Sequence, residues 1–97
     1  MIKAQSDIGT ALKNGTKRTG SSINMFARPA SQPRFAVLVP KRIGNAVRRN
    51  RMKRLVREIY RLHPEWFTGR AVILFIKRYH PVFRDLERDI QRLVFRT

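Results

Sequence analysis

The chain has 97 residues, of which 22 are lysine or arginine, six are acidic and none is cysteine, giving a formal net charge of +16. A chain of this length encloses one hydrophobic core, so we expect a single domain over residues 1–97. The lack of cysteine excludes a disulfide framework, a thiolate metal site and a cysteine nucleophile, and the charge predicts a polyanionic partner.

A short helix is predicted at the start of the chain. Ser6 is a suitable N-cap, and Gly15 follows the last residue of the pattern. Ile8 and Leu12 then lie on the same helix face, because residues four apart are neighbours on a helix. That face is apolar, as expected for a helix that packs on a sheet.

Three strands are predicted from the hydrophobic pattern. They cover residues 23–28, 34–39 and 70–77. In the first of these strands, Asn24 and Phe26 lie on the opposite side from the apolar residues, since successive side chains alternate. The last strand is apolar on both faces, which is typical of a strand buried on both sides.

Two longer helices complete the predicted layout. One starts at Gly44 or Asn45 and ends near Leu62, before a His-Pro pair. The other has Pro81 in its first turn, and its apolar residues at helical spacing are Val82, Phe83, Leu86, Ile90, Leu93 and Val94. The order of elements predicts an α+β fold with helices on one sheet. Residues 81–97 hold four arginines against three acids, so we expect intrahelical ion pairs and a structural role there.

The helix predicted over residues 45–62 has one apolar face and one cationic face. At 100° per residue the apolar stripe consists of Met52, Leu55, Val56 and Ile59. The opposite arc consists of Ala46, Asn50, Lys53, Arg54, Arg57 and Arg61. Like charges four residues apart repel each other, and only Glu58 can relieve them, by pairing with Arg54 or Arg61. This pattern favours anion binding over simple solvation. The excess of arginine favours phosphate. A membrane surface is disfavoured because the core needs the apolar stripe, and a DNA recognition helix stays open although its usual helix–turn–helix context is absent. The neighbouring strands favour RNA.

Residues 41–58 read KRIGNAVRRNRMKRLVRE. This segment resembles the RNR signature of the protein component of bacterial ribonuclease P, K-x-x-G-N-A-x-x-R-N-x-x-K-R-x-x-R-E, and it fills every fixed position. The resemblance implies the order α-β-β-β-α-β-α on one mixed sheet, with a further short strand at residues 17–19. It also implies a left-handed crossover through the basic helix, against the usual rule for parallel strands.

The resemblance implies a function as well. The family is the small subunit of a ribonucleoprotein that removes the 5′ leader from precursor tRNA. The implied partners are the catalytic RNA and the precursor tRNA, with no obligate protein partner and no membrane. The active site and its Mg²⁺ are expected on the RNA, and no cofactor is expected on the protein itself.

The site residues implied by the resemblance fall into three groups. The RNA-binding residues of the RNR helix are Arg48, Arg49, Asn50, Arg51, Lys53, Arg54, Arg57 and Arg61. The residues at the approach to that helix are Lys41, Arg42 and Gly44. The cleft for the leader is expected to use Phe26, Asn24, Ile8 and Leu12. For several of these residues a structural role is open too, because Ile8, Leu12 and Phe26 fit a core and Gly44 fits a plain turn.

No catalytic or metal-binding residue is predicted. A nuclease acting alone needs a general acid–base pair or clustered carboxylates, and neither His63 nor His80 has an evident partner in the sequence. Two alternatives remain open, namely a ribosomal or RNA-chaperone type of RNA-binding protein and a protein-only nuclease. No apolar run approaches the length of a membrane span, and the first residues lack the apolar core of a secretory signal, so we expect a soluble, cytoplasmic protein.

Overall fold

Four strands form one mixed sheet in the computed structural model, which describes residues 16–32 and 34–95. The strands are β1 (Thr16–Thr19), β2 (Ile23–Pro29), β3 (Arg34–Leu38) and β4 (Arg70–Ile76). Their spatial order is β1-β2-β4-β3, with β3 parallel to β4 and the other two pairs antiparallel. All four strands agree with the sequence predictions to within one residue at each end.

Two helices pack on one face of this sheet. They are α1 (Ala46–Leu62) and α2 (Phe83–Phe95), and the chain also forms 3₁₀ turns at Lys41–Ile43 and Pro64–Phe67. The helix predicted after Ser6, with Ile8 and Leu12, lies outside the described residues. No helix in the described part of the chain is long and apolar enough to cross a membrane.

The core lies between the sheet and the two helices. Its fully buried side chains include Met25 of β2, Leu74 of β4, Val56 of α1 and Ile90 of α2. Strand β4 lies at an inner position of the sheet, and Ile73, on the face away from the helices, is also only 3% exposed. This burial explains why β4 is apolar on both faces. The α+β fold predicted from the sequence is confirmed.

The start of α2 differs from the prediction. Pro81 lies two residues before the helix rather than in its first turn. The backbone N–H of Val82 donates to the carbonyl of His80 at 2.9 Å, and the carbonyl of Val82 accepts from the backbone N–H of Leu86 at 3.0 Å. Because of the turn at His80, the helix begins only at Phe83. Val82 is 43% exposed instead of lying in the core.

The acids of α2 bond to other parts of the chain and form no intrahelical ion pair within residues 83–95, so that prediction is wrong there. Asp89 accepts from the backbone N–H groups of Ser21 at 3.4 Å and Ser22 at 3.1 Å. Glu87 and Asp85 contact the histidines that the sequence left without partners, His63 at 2.8 Å and His80 at 2.9 Å. The topology brings these partners to the helix, and a periodic pattern within the helix does not reveal them.

The connection from β3 through α1 to β4 joins two parallel strands. Nothing in the strand register fixes the hand of this crossover, so the left-handed path implied by the resemblance stays a prediction. The crossover places α1 over the β3 and β4 side of the sheet. An aromatic contact anchors it there, since the rings of Tyr60 and Phe35 stack with their centroids 4.2 Å apart.

Candidate nucleic-acid interface

The geometry at the start of α1 is set by Gly44 and Asn45. The side-chain Oδ1 of Asn45 accepts from the backbone N–H of Arg48 at 3.0 Å, which makes Asn45 the N-cap. Gly44 has a φ of 147°, a value that side chains rarely permit, and a Cβ at this position would lie 2.7 Å from the Cδ of Arg48. The backbone conformation of the turn is therefore sufficient to explain a glycine at position 44, whether or not the turn contacts RNA.

The two faces of α1 are separated as the sequence predicted. Met52, Val56 and Ile59 have no exposed surface, and Leu55 is half-buried. On the outer face, a shallow depression runs along the last three turns of the helix, lined by Asn50, Lys53, Arg54, Arg57, Glu58 and Arg61. The structure thus brings together five of the eight predicted residues of the RNR helix.

Charge on this outer face is unevenly neutralised. The guanidinium of Arg61 forms a two-contact ion pair with Glu58, one contact being from Nε to Oε2 at 3.0 Å. This hydrogen bond lowers the pKa of Glu58 below its ordinary value and raises that of Arg61. Among the described residues, Lys53, Arg54 and Arg57 have no acidic partner. The unneutralised cations therefore lie in the middle of the helix, and Arg61 is the cation least available to a phosphate.

Three more arginines surround the first turns of α1. The guanidinium carbon of Arg48 lies 5.1 Å from the ring centroid of Tyr79, close enough for a cation–π contact. Arg51 is exposed, whereas the Nε of Arg49 is buried and has no hydrogen-bond partner in the part of the chain that the structure describes. Cations at a helix N-terminus oppose the macrodipole, so this arrangement is unfavourable for the isolated helix and favourable for an anion.

The predicted approach residues lie directly before this helix end. Lys41 and Arg42 are both exposed in the 3₁₀ turn that precedes Gly44. They extend the cationic surface beyond the N-terminus of α1. We call this surface, made by the approach residues and the RNR residues, the α1 surface.

A second candidate surface is the sheet face that points away from the two helices. Asn24, Phe26 and Arg28 of β2 lie on it, since Ile23 and Met25 belong to the core on the other face. We call these three residues the β2 row. The Asn24 Oδ1 and the Arg28 Nε are buried and lack a hydrogen-bond partner among the described residues.

The middle of the β2 row is an aromatic ring with a cation beside it. Phe26 is half-buried, and the Nζ of Lys17 on β1 lies 5.8 Å from its ring centroid. The row therefore offers an acceptor, a ring and a donor in succession. Buried polar atoms of this kind favour a partner that supplies the missing hydrogen bonds, and ring faces stack on bases.

Two residues of this face were missed by the sequence analysis. Arg28 could have been found, because alternation along the predicted strand places it on the same side as Asn24 and Phe26. Lys17 could not have been found from periodicity, since strand β1 was implied only by the resemblance. The other residues predicted for this cleft, Ile8 and Leu12, lie outside the described residues.

The described residues contain no group of three or more histidine, cysteine, aspartate or glutamate side chains that could hold a metal ion. The two histidines are engaged in the fold. The ring of His63 stacks on Trp66 with centroids 3.8 Å apart and also contacts Glu87, while His80 contacts Asp85.

Comparison with known proteins gives a consistent result. Residues 1–97 match the family model described as Ribonuclease P. The ribonuclease P protein component of Dictyoglomus thermophilum is 33% identical over 88 residues, which cover 89% of this chain and 73% of the relative. That of Clostridioides difficile is 30% identical over 102 residues, which cover 99% of this chain and 90% of the relative.

Solved structures show the same fold. The RNase P protein from Thermotoga maritima, solved in complex with 1-(4-fluorophenyl)-2-thiourea, matches with a TM-score of 0.86 at 21% identity, over 100% of this chain and 99% of that chain. The RNase P protein of Staphylococcus aureus matches with a TM-score of 0.78 at 19% identity, over 92% and 86% of the two chains. Because the family model covers the whole chain and the relatives from Dictyoglomus thermophilum and Clostridioides difficile extend over most of it, the chain belongs to the ribonuclease P protein family, as an RNA-binding protein component of that enzyme.

Proposed function

We propose that this chain binds the catalytic RNA of ribonuclease P through the α1 surface and holds the 5′ leader of precursor tRNA against the β2 row. Removal of the leader is the activity of the assembled enzyme. In this proposal the RNA, with its Mg²⁺, supplies the chemistry of cleavage. The residues of this chain bind, orient and screen charge.

The observation that carries the first half of the proposal is the group Lys53, Arg54 and Arg57. These cations share one helix face, and no carboxylate of the described residues neutralises them. Arginine presents a planar fork that matches two phosphate oxygens, so the depression on α1 suits an RNA backbone. An ordinary solvated helix would alternate charges on this face.

The second half of the proposal is supported by the β2 row. A single-stranded leader exposes its bases, and Phe26 offers a half-buried ring on which a base could stack. On either side of that ring, Asn24 and Arg28 carry a buried acceptor and a buried donor that have no hydrogen-bond partner among the described residues. A leader held in this way would present its scissile bond to the RNA in a fixed position.

The cations of the chain would assist in a further way. Lysine and arginine along the RNA reduce the repulsion between the phosphates of the ribozyme and those of the substrate. With less repulsion, the RNA would reach its active state at a lower Mg²⁺ concentration. The chain would thereby contribute to the rate without touching the reacting atoms.

Reconstitution tests this proposal directly. The purified chain is mixed with a bacterial ribonuclease P RNA and labelled precursor tRNA, and cleavage is followed over a series of Mg²⁺ concentrations. We expect cleavage at the mature 5′ end at low Mg²⁺ only when both components are present. Cleavage by the chain alone would favour the protein-only nuclease, and RNA binding without stimulation would favour the chaperone type of protein.

The leader contact has its own test. Phe26→Ala should weaken binding of precursor tRNA to the assembled enzyme by about fivefold or more, because base stacking on an aromatic ring contributes about 1–3 kcal/mol. Binding of mature tRNA, which has no leader, should not change. Phe95→Ala is the matched control, since Phe95 is a 60% exposed ring on α2. Equal effects of the two variants would contradict the assignment of Phe26 to the leader.

A further inference from the structure

Helix α2 carries a second group of cations, on the side that faces the β1–β2 turn. Arg88 and Arg92 line a polar depression there together with Arg78, which follows β4, and Ser21 of the turn. All three arginines are exposed. Within the described residues, neither Arg88 nor Arg92 has an ion-pair partner.

Asp85, Asp89 and His80 also line this depression, and both carboxylates are hydrogen-bonded to groups other than the three arginines. Asp89 is 9% exposed, and its oxygens accept from the backbone N–H groups of the β1–β2 turn at 3.1 and 3.4 Å. The Oδ2 of Asp85 contacts the Nε2 of His80 at 2.9 Å. Among the described residues neither carboxylate forms an ion pair with Arg88 or Arg92, although the charge of Arg88 helps to lower the pKa of Asp85. The guanidinium groups of Arg88 and Arg92 therefore keep hydrogen-bond donors for an anion.

The depression is held in shape by hydrogen bonds across the end of the sheet. The Nε of Arg78 donates to the Oγ of Ser22 at 3.0 Å, and the Nζ of Lys77 donates to the carbonyl of Gly20 at 2.9 Å. A Cβ at Gly20 would lie 2.7 Å from Asp89 Oδ1, so the turn packs directly against α2. Of the three arginines, Arg78 is fixed in this way, so it loses little freedom when it binds a ligand.

Two of these cations, Arg88 and Arg92, lie on a different side of α2 from the side that faces α1. Glu87 contacts His63, the residue that follows α1, so that side of α2 faces α1. Arg88 and Arg92 line the depression with Ser21 and therefore face the β1–β2 turn instead.

We propose that Arg78, Arg88 and Arg92 form a second phosphate-binding site that takes the phosphodiester backbone of folded RNA. The inference rests on the proposed function, because it assumes that the chain binds RNA in the assembled enzyme. The nearly balanced charge of α2 predicted only a structural role for this helix, and the proposal adds RNA binding to that role. The phosphates come either from the catalytic RNA or from the precursor tRNA.

The test is a salt titration of RNA affinity with the variant Arg88→Gln/Arg92→Gln. Each phosphate contact contributes about 0.7–0.9 to the slope of log affinity against log salt. Raising the salt from 50 to 200 mM should therefore weaken RNA binding by the double variant about seven- to twelvefold less than it weakens RNA binding by the unmodified chain. The single variants Arg92→Gln and Arg84→Gln are matched for charge, and Arg84 is an exposed arginine of α2 outside the depression.

Two arms distinguish the sources of the phosphate. If the catalytic RNA occupies the site, the slope changes with that RNA alone. If the precursor tRNA occupies it, the slope changes only when the precursor binds the assembled enzyme. An unchanged slope in both arms would overturn the inference, as would equal effects of Arg92→Gln and Arg84→Gln.

Unaltered binding by Arg54→Ala/Arg57→Ala on the α1 surface would instead overturn the proposed function. Thermal unfolding of each variant checks that the fold is intact.

Discussion

The carboxylate of Glu58 lies within the α1 surface and occupies Arg61, a cation that would otherwise face the RNA. Replacing it in the variant Glu58→Gln removes the negative charge and releases the guanidinium from its two-contact pair. The pair is exposed to solvent, so its loss should hardly change the stability of the fold. We therefore expect the variant to bind the catalytic RNA more tightly than the unmodified chain does.

The size of this effect follows from the geometry. One additional cation in contact with phosphate should steepen the slope of log affinity against log salt by about 0.7–0.9. Between 50 and 200 mM salt, the variant should then lose about threefold more affinity than the unmodified chain. Removing a negative charge close to the bound backbone should also tighten binding at low salt, because the repulsion between that carboxylate and the phosphates is lost.

Filter binding to a bacterial ribonuclease P RNA over a salt series measures both quantities. Glu65→Gln is the matched control, because Glu65 is an exposed carboxylate in the 3₁₀ turn after α1 and its removal changes the net charge equally. Glu58→Gln should differ clearly from this control. Equal affinities of the two variants, or weaker binding by Glu58→Gln, would refute the reasoning that Glu58 competes with phosphate for Arg61.

Three further predictions concern the fold that positions these surfaces. Gly44→Ala should lower stability by about 1–3 kcal/mol because of its φ of 147°, and thermal unfolding without RNA should show a decrease of about 4–8 °C per kcal/mol; an unchanged midpoint would contradict this. Asp89→Ala leaves two N–H groups of the β1–β2 turn without their acceptor and should cost about 1–3 kcal/mol in urea denaturation; a loss below about 0.5 kcal/mol would contradict that role. The hydrogen bond from His80 and, to a smaller extent, nearby arginines hold the pKa of Asp85 below its ordinary value of 3.8, so its stabilising contribution is present above about pH 4 and is lost as the pH falls. The difference in midpoint between Asp85→Asn and the unmodified chain should accordingly shrink in acid, and a constant difference would count against this pairing.

Much of the fold follows from local patterns in the sequence. The two faces of α1 are fixed by a 3.6-residue period, and the inner position of β4 is consistent with a strand that is apolar on both sides. The sequence predicted that α1 starts at Gly44 or Asn45, and the structure shows Asn45 as its N-cap. These features depend on residues close together in the chain, so a single sequence contains the information.

Contacts between distant segments could not be predicted in the same way. The bond between Ser22 and Asp89 spans 67 residues, and only the topology brings the β1–β2 turn to α2. The choice of Glu58 between Arg54 and Arg61 depends on side-chain geometry, which spacing leaves open. Proline favours the first turn of a helix, but the turn at His80 places Pro81 two residues before the start of α2.

The same distinction applies to the candidate site. Period and composition predicted which residues of α1 face outward, and the structure agrees on their exposure. Their contacts with RNA stay predictions. The residues around Arg88 were not predicted to bind at all, because the acids of α2 appeared to neutralise its arginines. Their true partners lie in the β1–β2 turn and at two histidines.

The central claim is that the unneutralised cations of α1 hold the catalytic RNA. The affinity of Arg54→Ala/Arg57→Ala for a bacterial ribonuclease P RNA, measured over a salt series beside Arg84→Ala, tests it most directly. We predict that the double variant binds more weakly, with a slope flattened by about 1.4–1.8, while its thermal midpoint stays level or rises because like charges have been removed. Unchanged affinity and slope in a folded double variant would contradict the claim.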